Sequence, residues 1–380
     1  MIKKIAVLFG GVSAEHEVSV ISGLQVLENI DRDKFDPYPV YLTKSGLFKY
    51  QKINSRKDFN INTGDNVFFG RDDKGAFLVK SRPFARKIYL DAAYLAFHGG
   101  GGESGPIQGL FETLELPFTS PTVESSAIVM NKVLTKEVVE KYGINTVPWL
   151  RFYGKELKKD LEDKVNSVAG NLGFPVIVKP AHLGSSIGIS VANTKIELKK
   201  RLLEAAFIDS EILVEKFIKY FYEYNCAVRL INNKIEVSEI ERPLRSDEIL
   251  SFSDKYQKNG NKKNAGMASL MRELPARISK KLRAEIKEIA VKVFEICRLK
   301  GMVRIDFMVT RDNIIYLTEV NPIPGSMAFY LWEASGITFT QQITDLIEQS
   351  FKDFEYKQFL KLDYESDILE KFFHGKDRRL

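Results

Sequence analysis

At 380 residues the chain is too long for one typical hydrophobic core, and we expect two or three domains. Its 44% hydrophobic and 28% charged residues are typical of a globular protein in water, and no apolar segment is long enough to span a membrane. The net charge of +6 is modest and the lysines are spread along the chain, which argues against nucleic-acid binding but leaves anionic substrates open.

The first predicted elements are a strand over residues 3–9 and a helix that follows a glycine turn containing Gly10 and Gly11. Strand, glycine turn and helix form the opening unit of a parallel α/β domain. The turn lacks the GxGxxG spacing of a dinucleotide site. Glu15 and Glu17 fit two interpretations equally, as favourable charges in a first helical turn or as ligands.

Residues 51–87 are polar and irregular, and we predict hairpins or loops there. A buried strand over 92–97 then runs into His98 and four consecutive glycines. Because glycine loses much conformational entropy on folding, such a run is not explained by packing. It suits a mobile loop or a close approach of the backbone to a ligand. Pro106 begins the next helix.

Two lysines stand out in the middle of the chain. Lys132 lies within a predicted helix over 125–142, where a lysine is ordinarily solvated. Lys179 ends a buried strand, and a glycine and serine run over 184–190 follows it. Backbone amides, hydroxyls and one cationic side chain are the chemistry of a phosphate cradle, although the order is not that of a Walker loop.

The alternating backbone N–H and C=O groups of a strand edge over 212–218 could bind an adenine ring. Glu215 is a candidate ligand for a ribose hydroxyl. Residues 251–269 are polar, without periodicity, and we predict a lid or a disordered loop. We predict an amphipathic helix over 279–299 and a peripheral helix with a loose end over 351–380. Cys226 and Cys297 each lie in an apolar run, and they lack CxxC spacing. Because we also find no signal peptide, we expect both to be reduced core residues of a cytoplasmic protein.

Residues 302–325 read as a two-stranded hairpin that carries charges where a core strand should be apolar. Pairing through the short turn would place Asp306 opposite Glu319 and Arg304 opposite Asn321. Closely spaced carboxylates repel unless a cation or proton lies between them. We therefore favour a site for a hard cation such as Mg²⁺, with an exposed hairpin of solvated charges as the alternative.

Taken in order, the motifs SAEHEVS, HGxxGExG, NK, VKPxxxGSSIGI, LVEKFI, RIDF and EVN resemble the ATP-grasp ligases, and within them the D-alanine–D-alanine ligases. The resemblance covers residues 3 to about 347. It implies an α/β protein with a three-domain ATP-grasp fold and an N-terminal parallel α/β domain. The implied boundaries are 1–121, 122–217 and 218–380, and the implied assembly is a homodimer.

The resemblance also implies roles for individual residues. Those matching the ATP-binding positions are Lys132, Lys179, Ser186, Glu215, Lys216, Ile218, Glu223 and Lys255. Asp306, Glu319 and Asn321 match ligands of two magnesium ions, with Mn²⁺ as an alternative. Catalytic positions are Glu15, Ser185, Tyr256, Arg304 and Gly325, and substrate positions are Glu15, His98 and Ser326.

The implied reaction phosphorylates the carboxylate of one D-alanine and lets the amine of a second attack the acyl phosphate, giving a dipeptide for peptidoglycan. Tyr256 favours an amine acceptor over D-lactate. The alternatives are a related ligase with a different amino-acid or amine acceptor and a nucleotide-binding regulator without turnover. A NAD-dependent dehydrogenase lacks its glycine fingerprint here.

Two departures from the family pattern affect these expectations. Ser104 replaces the usual aspartate or asparagine of the HGxxGE loop. The segment after Gly325 is several residues shorter than the family's, and that segment normally supplies the serine for the acceptor carboxylate. Ser326 is the candidate replacement. ATP and metal chemistry are therefore better defined than the acceptor.

Overall fold

The computed structural model describes residues 2–53, 55–244, 271–358 and 366–374. Its strands are β1 Lys3–Gly10, β2 Phe35–Leu42, β3 Phe48–Tyr50, β4 Asp65–Asp72, β5 Gly75–Lys80, β6 Ile88–Tyr89, β7 Ala92–Leu95, β8 Trp149–Tyr153, β9 Val176–Pro180, β10 Ser190–Ala192, β11 Glu211–Lys216, β12 Phe221–Ile231, β13 Lys234–Val237, β14 Arg242–Pro243, β15 Arg272–Glu273, β16 Met302–Thr310 and β17 Ile315–Asn321. Its helices are α1 His16–Asn29, α2 Pro106–Thr113, α3 Val123–Met130, α4 Lys132–Glu140, α5 Gly154–Asn171, α6 Lys195–Ile208, α7 Lys280–Ile296, α8 Phe329–Glu333, α9 Phe339–Gln358 and α10 Ile368–His374.

The first sheet has seven strands in the order β6-β5-β4-β3-β2-β1-β7. Strand β1 pairs in parallel with β2 and β7 and is buried from Ile5 to Gly10, as expected for the centre of a parallel α/β layer. The segment 51–87 contributes the antiparallel β4 and β5. Ser19 of α1 donates to the carbonyl of Ala96 and accepts the Gly10 N–H, both at 2.8 Å. Helix α1 is thereby attached to the strand ends that lead into the two glycine-rich loops.

Two further sheets of four strands each are antiparallel, in the orders β10-β9-β11-β8 and β13-β12-β16-β17. The apolar side of the first packs against α5 and α6, and the apolar side of the second packs against α7. Layers of this kind bury one face of each sheet and leave the other free for polar side chains. Strands β9, β11, β16 and β17 carry seven of the predicted site residues: Lys179, Glu215, Lys216, Arg304, Asp306, Glu319 and Asn321.

The helix predicted over 125–142 is two helices, and this prediction was wrong about its continuity. Asn131 ends α3 in an extended conformation and caps α4, accepting the N–H groups of Val133 at 2.8 Å and Leu134 at 3.1 Å. Asparagine is a preferred N-cap because its side chain satisfies these orphan donors. Lys132 is consequently the first residue of α4 rather than a mid-helix residue.

The chain returns to the first sheet after the hairpin. Ile323, Met327 and Trp332 are buried in the same apolar cluster as β1 and β7, and Ile343 of α9 joins them. The turn after Gly325 therefore rests on the N-terminal domain, so that the site lies where the three sheets approach one another. The boundaries at 121 and 217 stay predictions.

Several other expectations concern the periphery. Cys226 and Cys297 are buried free thiols. In the part of the chain that the structure describes, no helix combines the length and apolarity needed to cross a membrane. The predicted lid at 251–269, with Lys255 and Tyr256, lies outside the described residues.

Candidate active site

The hairpin pairs as predicted. Arg304 lies opposite Asn321, and Asp306 lies opposite Glu319. A bulge follows the Asp306 pair, where Thr318 is the extra residue, and its hydroxyl donates to the carbonyl of Asp306 at 2.8 Å. The charged and amide side chains of the two strands thus share one face.

The bulge changes which side chains of β17 are buried. Ile315 and Leu317 belong to the apolar core, as does Val320, three residues further on. A strict alternation would have placed Glu319 on the same face as Leu317. The one-residue irregularity turns Glu319 to the polar face, because side-chain direction alternates with every residue of a strand.

Asp306 is held by three side-chain hydrogen bonds. Arg304 donates to both of its carboxylate oxygens at 2.7 Å, and Asn321 donates to one of them at 3.1 Å. Burial opposes the charge of Arg304, yet the adjacent Asp306 raises the pKa of the guanidinium well above its usual value. This bidentate pair holds a permanent cation at the floor of the site.

The residues predicted as metal ligands fit a hard cation in chemistry. Asp306, Glu319 and Asn321 offer carboxylate and amide oxygens from adjoining positions of one hairpin. Among the described residues, no three His, Cys, Asp or Glu side chains gather as a ligand group, and the predicted set has two carboxylates and one amide. The third donor is therefore the amide of Asn321.

Lys132 projects from the start of α4 toward the hairpin. Its ammonium lies 3.0 Å from Glu319 and donates to the carbonyl of Leu183 at 2.7 Å. Its backbone N–H donates to the carbonyl of Ala181 at 3.0 Å. One lysine thus connects the loop after β9 to the carboxylate of Glu319 on β17.

Glu215 lies between two lysines. Its carboxylate pairs with Lys136 at 2.7 Å and contacts the ammonium of Lys179 even more closely. Burial raises the pKa of Glu215, but the two ammonium groups outweigh burial and lower it to about 2. The structure holds the carboxylate, which is 3% exposed, against these lysines rather than in open solvent where a ribose would reach it.

Lys136 was missed in the sequence analysis. It is 2% exposed, and burial lowers the pKa of its ammonium. Its position one helical turn after Lys132, on the face of α4 that also buries Val133 and Val139, is the signal that could have identified it.

Glu15 lies where the glycine loop after β7, which contains Gly99, meets the glycine and serine loop after β9, which contains Gly184. Ser185 donates a hydrogen bond to its carboxylate. A Cβ on Gly184 would lie 2.8 Å from a carboxylate oxygen of Glu15, and one on Gly99 would lie 2.7 Å from it. Gly99 also has a φ of 68°. A side chain at Gly184 would displace the carboxylate of Glu15, and Gly99 in addition has the positive φ that glycine adopts without strain.

His98 and Glu103 attach the first glycine loop to the segment after the hairpin. His98 shares a hydrogen bond of 2.9 Å with the carbonyl of Ile323, and burial lowers the pKa of its imidazole to about 4. Glu103 accepts the N–H groups of Ile323, at 3.1 Å, and of Gly99. Burial, with the charge of Glu15 added, raises the pKa of Glu103 well above its usual value. Glu103 was not predicted as a site residue, although it stands inside the quoted HGxxGExG motif.

The short segment after Gly325 forms a left-handed turn. Ser326, Met327 and Ala328 have φ values of 50°, 53° and 46°. Each non-glycine residue in this region costs roughly 1–2 kcal/mol. Their burial and the hydrogen bond from Gln342 to the carbonyl of Met327, at 2.7 Å, offset this strain.

A second polar cluster, also missed, surrounds Glu241. Its carboxylate accepts from Arg272 at 2.9 Å and from Asn225 and Tyr330 at 3.1 Å each. Burial, with the charge of Glu241 added, raises the pKa of Tyr330, so its hydroxyl remains a donor. No motif spacing in the sequence distinguishes these residues.

One cavity of about 130 Å³ brings most of these groups together. The predicted residues that line it are Glu15, His98, Lys132, Ser185, Glu223, Arg304, Asp306, Glu319, Asn321 and Gly325. The remaining described candidates, Lys179, Ser186, Glu215, Lys216, Ile218 and Ser326, do not line it. A larger cavity of about 670 Å³ lies by Phe111, Phe118 and Phe354 and contains none of the predicted residues. We therefore place the chemistry in the smaller cavity.

The fold is that of an ATP-grasp ligase. The structure of the D-alanine-D-alanine ligase from Coxiella burnetii is similar over 99% of both chains, with a TM-score of 0.78 at 24% identity. The VanG D-Ala:D-Ser ligase from Enterococcus faecalis is similar over 92% of this chain and 100% of its own, with a TM-score of 0.78 at 29% identity.

The families described as D-ala D-ala ligase N-terminus and C-terminus match residues 4–121 and 138–348. The D-alanine–D-alanine ligase of Thermosipho africanus is 36% identical over 362 residues, covering 93% of this chain and 95% of the relative. The chain belongs to the D-alanine–D-alanine ligase family and is an ATP-dependent ligase that forms a carbon–nitrogen bond.

Proposed function

We propose that this chain joins two D-alanine molecules at the expense of ATP, giving D-alanyl-D-alanine, ADP and phosphate for peptidoglycan synthesis. The observation that carries the proposal is the single cavity in which the Arg304–Asp306 pair and Glu319 meet Lys132 and Glu15. Cationic groups for phosphates and an acid for a substrate ammonium are thereby brought to one place.

The first step is phosphorylation of the donor. An oxygen of the D-alanine carboxylate attacks the terminal phosphorus of ATP, a new P–O bond forms, and the bond to the bridging oxygen breaks to release ADP. Lys132 and Lys179 offset the charge of the phosphates, and Ser186 and the loop amides beside it cradle them. Glu215, Lys216, Ile218 and Glu223 are proposed for the adenosine side, where Glu215 acts by holding Lys179 in place.

Glu15 is proposed to hold the donor ammonium, with Ser185 fixing the carboxylate of Glu15 and His98 lying beside the substrate carboxylate. His98 is neutral near pH 7, because burial lowers the pKa of its imidazole to about 4. Its two ring nitrogens bond the carbonyl of Ile323 and the hydroxyl of Ser22, so it acts there as a neutral positioning group rather than as a cation.

The second step forms the peptide bond. The acceptor amine attacks the acyl carbon, the C–N bond forms, the C–O bond to phosphate breaks, and the amine loses a proton. The guanidinium of Arg304 and the backbone N–H of Gly325 are proposed to stabilise the oxyanion of the tetrahedral intermediate.

Asp306, Glu319 and Asn321 would hold two magnesium ions, for which Mn²⁺ could substitute. When bound, the metal supplies charge neutralisation for the phosphates. Lys255 and Tyr256, proposed to close over the site and exclude water, lie outside the described residues. The homodimer and the cytoplasmic location stay predictions.

Phosphate release from ATP, measured with D- and L-amino acids singly and in pairs, tests the proposal. Release with D-alanine alone and D-alanyl-D-alanine as the product is the expected result. Release only with a mixed pair would replace it by the second candidate, a ligase with another acceptor. No release with any substrate would overturn both and leave the nucleotide-binding regulator.

A further inference from the structure

His182, the second residue after β9, has a side chain that the proposed mechanism does not use. It occupies one of the unassigned positions of the VKPxxxGSSIGI motif, just before the glycine and serine loop. Its backbone N–H donates to one carboxylate oxygen of Asp209 at 2.8 Å, and Nδ1 of its ring lies 2.9 Å from the other oxygen. Asp209, which directly follows α6, thus holds both the backbone and the ring of His182.

The other ring nitrogen of His182 bonds to the start of α4. Nε2 lies 3.1 Å from Nδ2 of Asn131, and Oδ1 of Asn131 accepts two N–H groups of α4 as its cap. Because Oδ1 serves the cap, Nδ2 faces the histidine as a donor, and it also donates to Glu211 at 2.8 Å. Nε2 therefore accepts, and the network assigns the ring proton to Nδ1, which donates to Asp209.

The residues on either side of His182 hold Lys132. The carbonyl of Ala181 accepts the backbone N–H of Lys132 at 3.0 Å, and the carbonyl of Leu183 accepts its ammonium at 2.7 Å. Asn131 and Lys132 thus bond to three consecutive residues after β9. In this set His182 supplies the bond that comes from a side chain of the loop.

Apolar packing does not account for the position of the histidine. The side chain of His182 is 46% exposed, whereas that of Asp209 is only 5% exposed. Both ring nitrogens instead have fixed polar partners on two different helix ends. Lysine is a flexible point charge, so its contact with a phosphate depends on the groups that fix the direction of its side chain.

We propose that His182 is a positioning residue for ATP, whose ring joins Asp209 to Asn131 and thereby sets the ammonium of Lys132 relative to the loop that receives the phosphates. His182 then contributes to the affinity for ATP and not to the affinity for D-alanine. This inference rests on the proposed function, because the phosphate role of Lys132 belongs to that proposal.

Three variants of the full chain separate the two bonds of the ring. His182→Gln keeps an acceptor near the position of Nε2, His182→Asn keeps a donor near the position of Nδ1, and His182→Ala removes both. The Kd for MgATP is measured by calorimetry in the absence of D-alanine. His182→Ala and His182→Asn should raise it about 5–10-fold, as expected for one lost hydrogen bond, while His182→Gln stays within about twofold of the wild type.

The KM values for both substrates and the urea unfolding of the same variants distinguish positioning from a structural role. His182→Asn should unfold close to the wild type, because it keeps the bond to Asp209, and yet bind ATP weakly. The KM for D-alanine should be unchanged in all three variants. Asn171→Ala is the control, because Asn171 is an exposed residue of α5 whose amide bonds to Ser167 of the same helix, and it should change none of these quantities.

A double-variant comparison tests the bond to Asn131 itself. Asn131→Ser retains a side chain that can cap α4 but lacks the amide N–H that faces His182. In the Asn131→Ser background, His182→Ala should have no further effect on the Kd for MgATP, because the bond is already absent.

An unchanged Kd for MgATP in His182→Ala would overturn the inference, as would equally weak binding by His182→Gln and His182→Ala. A parallel loss of affinity for ATP and D-alanine together with a lower free energy of unfolding would also overturn it, because that pattern indicates a structural role. If the wild type binds no MgATP, the proposed function itself fails, and the inference with it.

Discussion

The hydroxyl of Ser22 lies 2.7 Å from Nε2 of His98 and receives the backbone N–H of Ser326 at 3.0 Å. Because the carbonyl of Ile323 can only accept, Nδ1 of His98 carries the proton and Nε2 accepts from Ser22. One serine of α1 therefore connects the first glycine loop to the left-handed turn after the hairpin.

Ser22→Ala should destabilise the fold by about 1–3 kcal/mol, since it leaves a buried N–H and an imidazole nitrogen without partners. The KM for D-alanine should rise, because the turn at Ser326 loses its attachment. Urea unfolding and steady-state kinetics measure the two effects. Ser45→Ala, an exposed serine, is the control, and equal behaviour of both variants would contradict the role given to Ser22.

His98 should make stability depend on pH. Its folded-state pKa of about 4 lies below the usual 6.5, so the unfolded chain binds the proton more readily. The stability that neutral His98 contributes to the folded state is fully present above pH 6.5 and is lost as the pH falls toward 4. The loss in the free energy of unfolding is roughly 3 kcal/mol at most. The difference in unfolding free energy between wild type and His98→Gln, measured from pH 7.5 to 4, should shrink over that window. A constant difference would refute the assignment.

The hairpin was predictable because a period-2 pattern and a short turn leave few pairing registers. Asp306 lies opposite Glu319 as the sequence indicated. The bulge at Thr318 was not predictable, since nothing in the local composition marks the extra residue. The same limit applies to the break at Asn131, where the helical pattern continues on both sides and only the capping geometry ends the first helix.

Long-range pairs account for the rest of what the sequence did not show. Lys136 and Glu215 are far apart in the chain, and nothing in either segment indicates that the two side chains pair. Their placement follows from how α4 packs on the sheet that contains β11. The left-handed turn at Ser326 is equally hidden, because none of its three residues is glycine, the usual marker of positive φ.

Lys136→Met should be among the most destabilising single changes in the site, by about 3–5 kcal/mol, because it removes one of two cations from the buried Glu215. The double variant with Glu215→Leu should recover much of that loss, since both charges are then absent. Chemical unfolding of the two single variants and the double variant gives the coupling energy. Additive effects would show that the pair is not coupled.

Lys179→Ala should raise the KM for ATP at least about 10-fold with a smaller effect on the KM for D-alanine, because the ammonium acts on the phosphates. Lys195→Ala is a suitable control, as Lys195 is an exposed residue at the start of α6. Steady-state kinetics with each substrate varied in turn separates the two constants. Unchanged ATP kinetics in Lys179→Ala would remove its phosphate role.

Asp306→Asn and Glu319→Gln should each lower turnover by at least about 100-fold, because each replaces a charged carboxylate that would bind the metal ion with a neutral amide. The far-UV spectrum and cooperative unfolding should remain intact, because neither change removes apolar packing. Asp312→Asn is the control, because it makes the same carboxylate-to-amide change at an exposed residue in the turn of the hairpin, away from the site. Phosphate release measured against magnesium concentration distinguishes weaker metal binding from loss of fold. Near-wild-type turnover of both site variants at low magnesium would contradict the metal role. The two carboxylates would then serve only to bind Arg304 and Lys132.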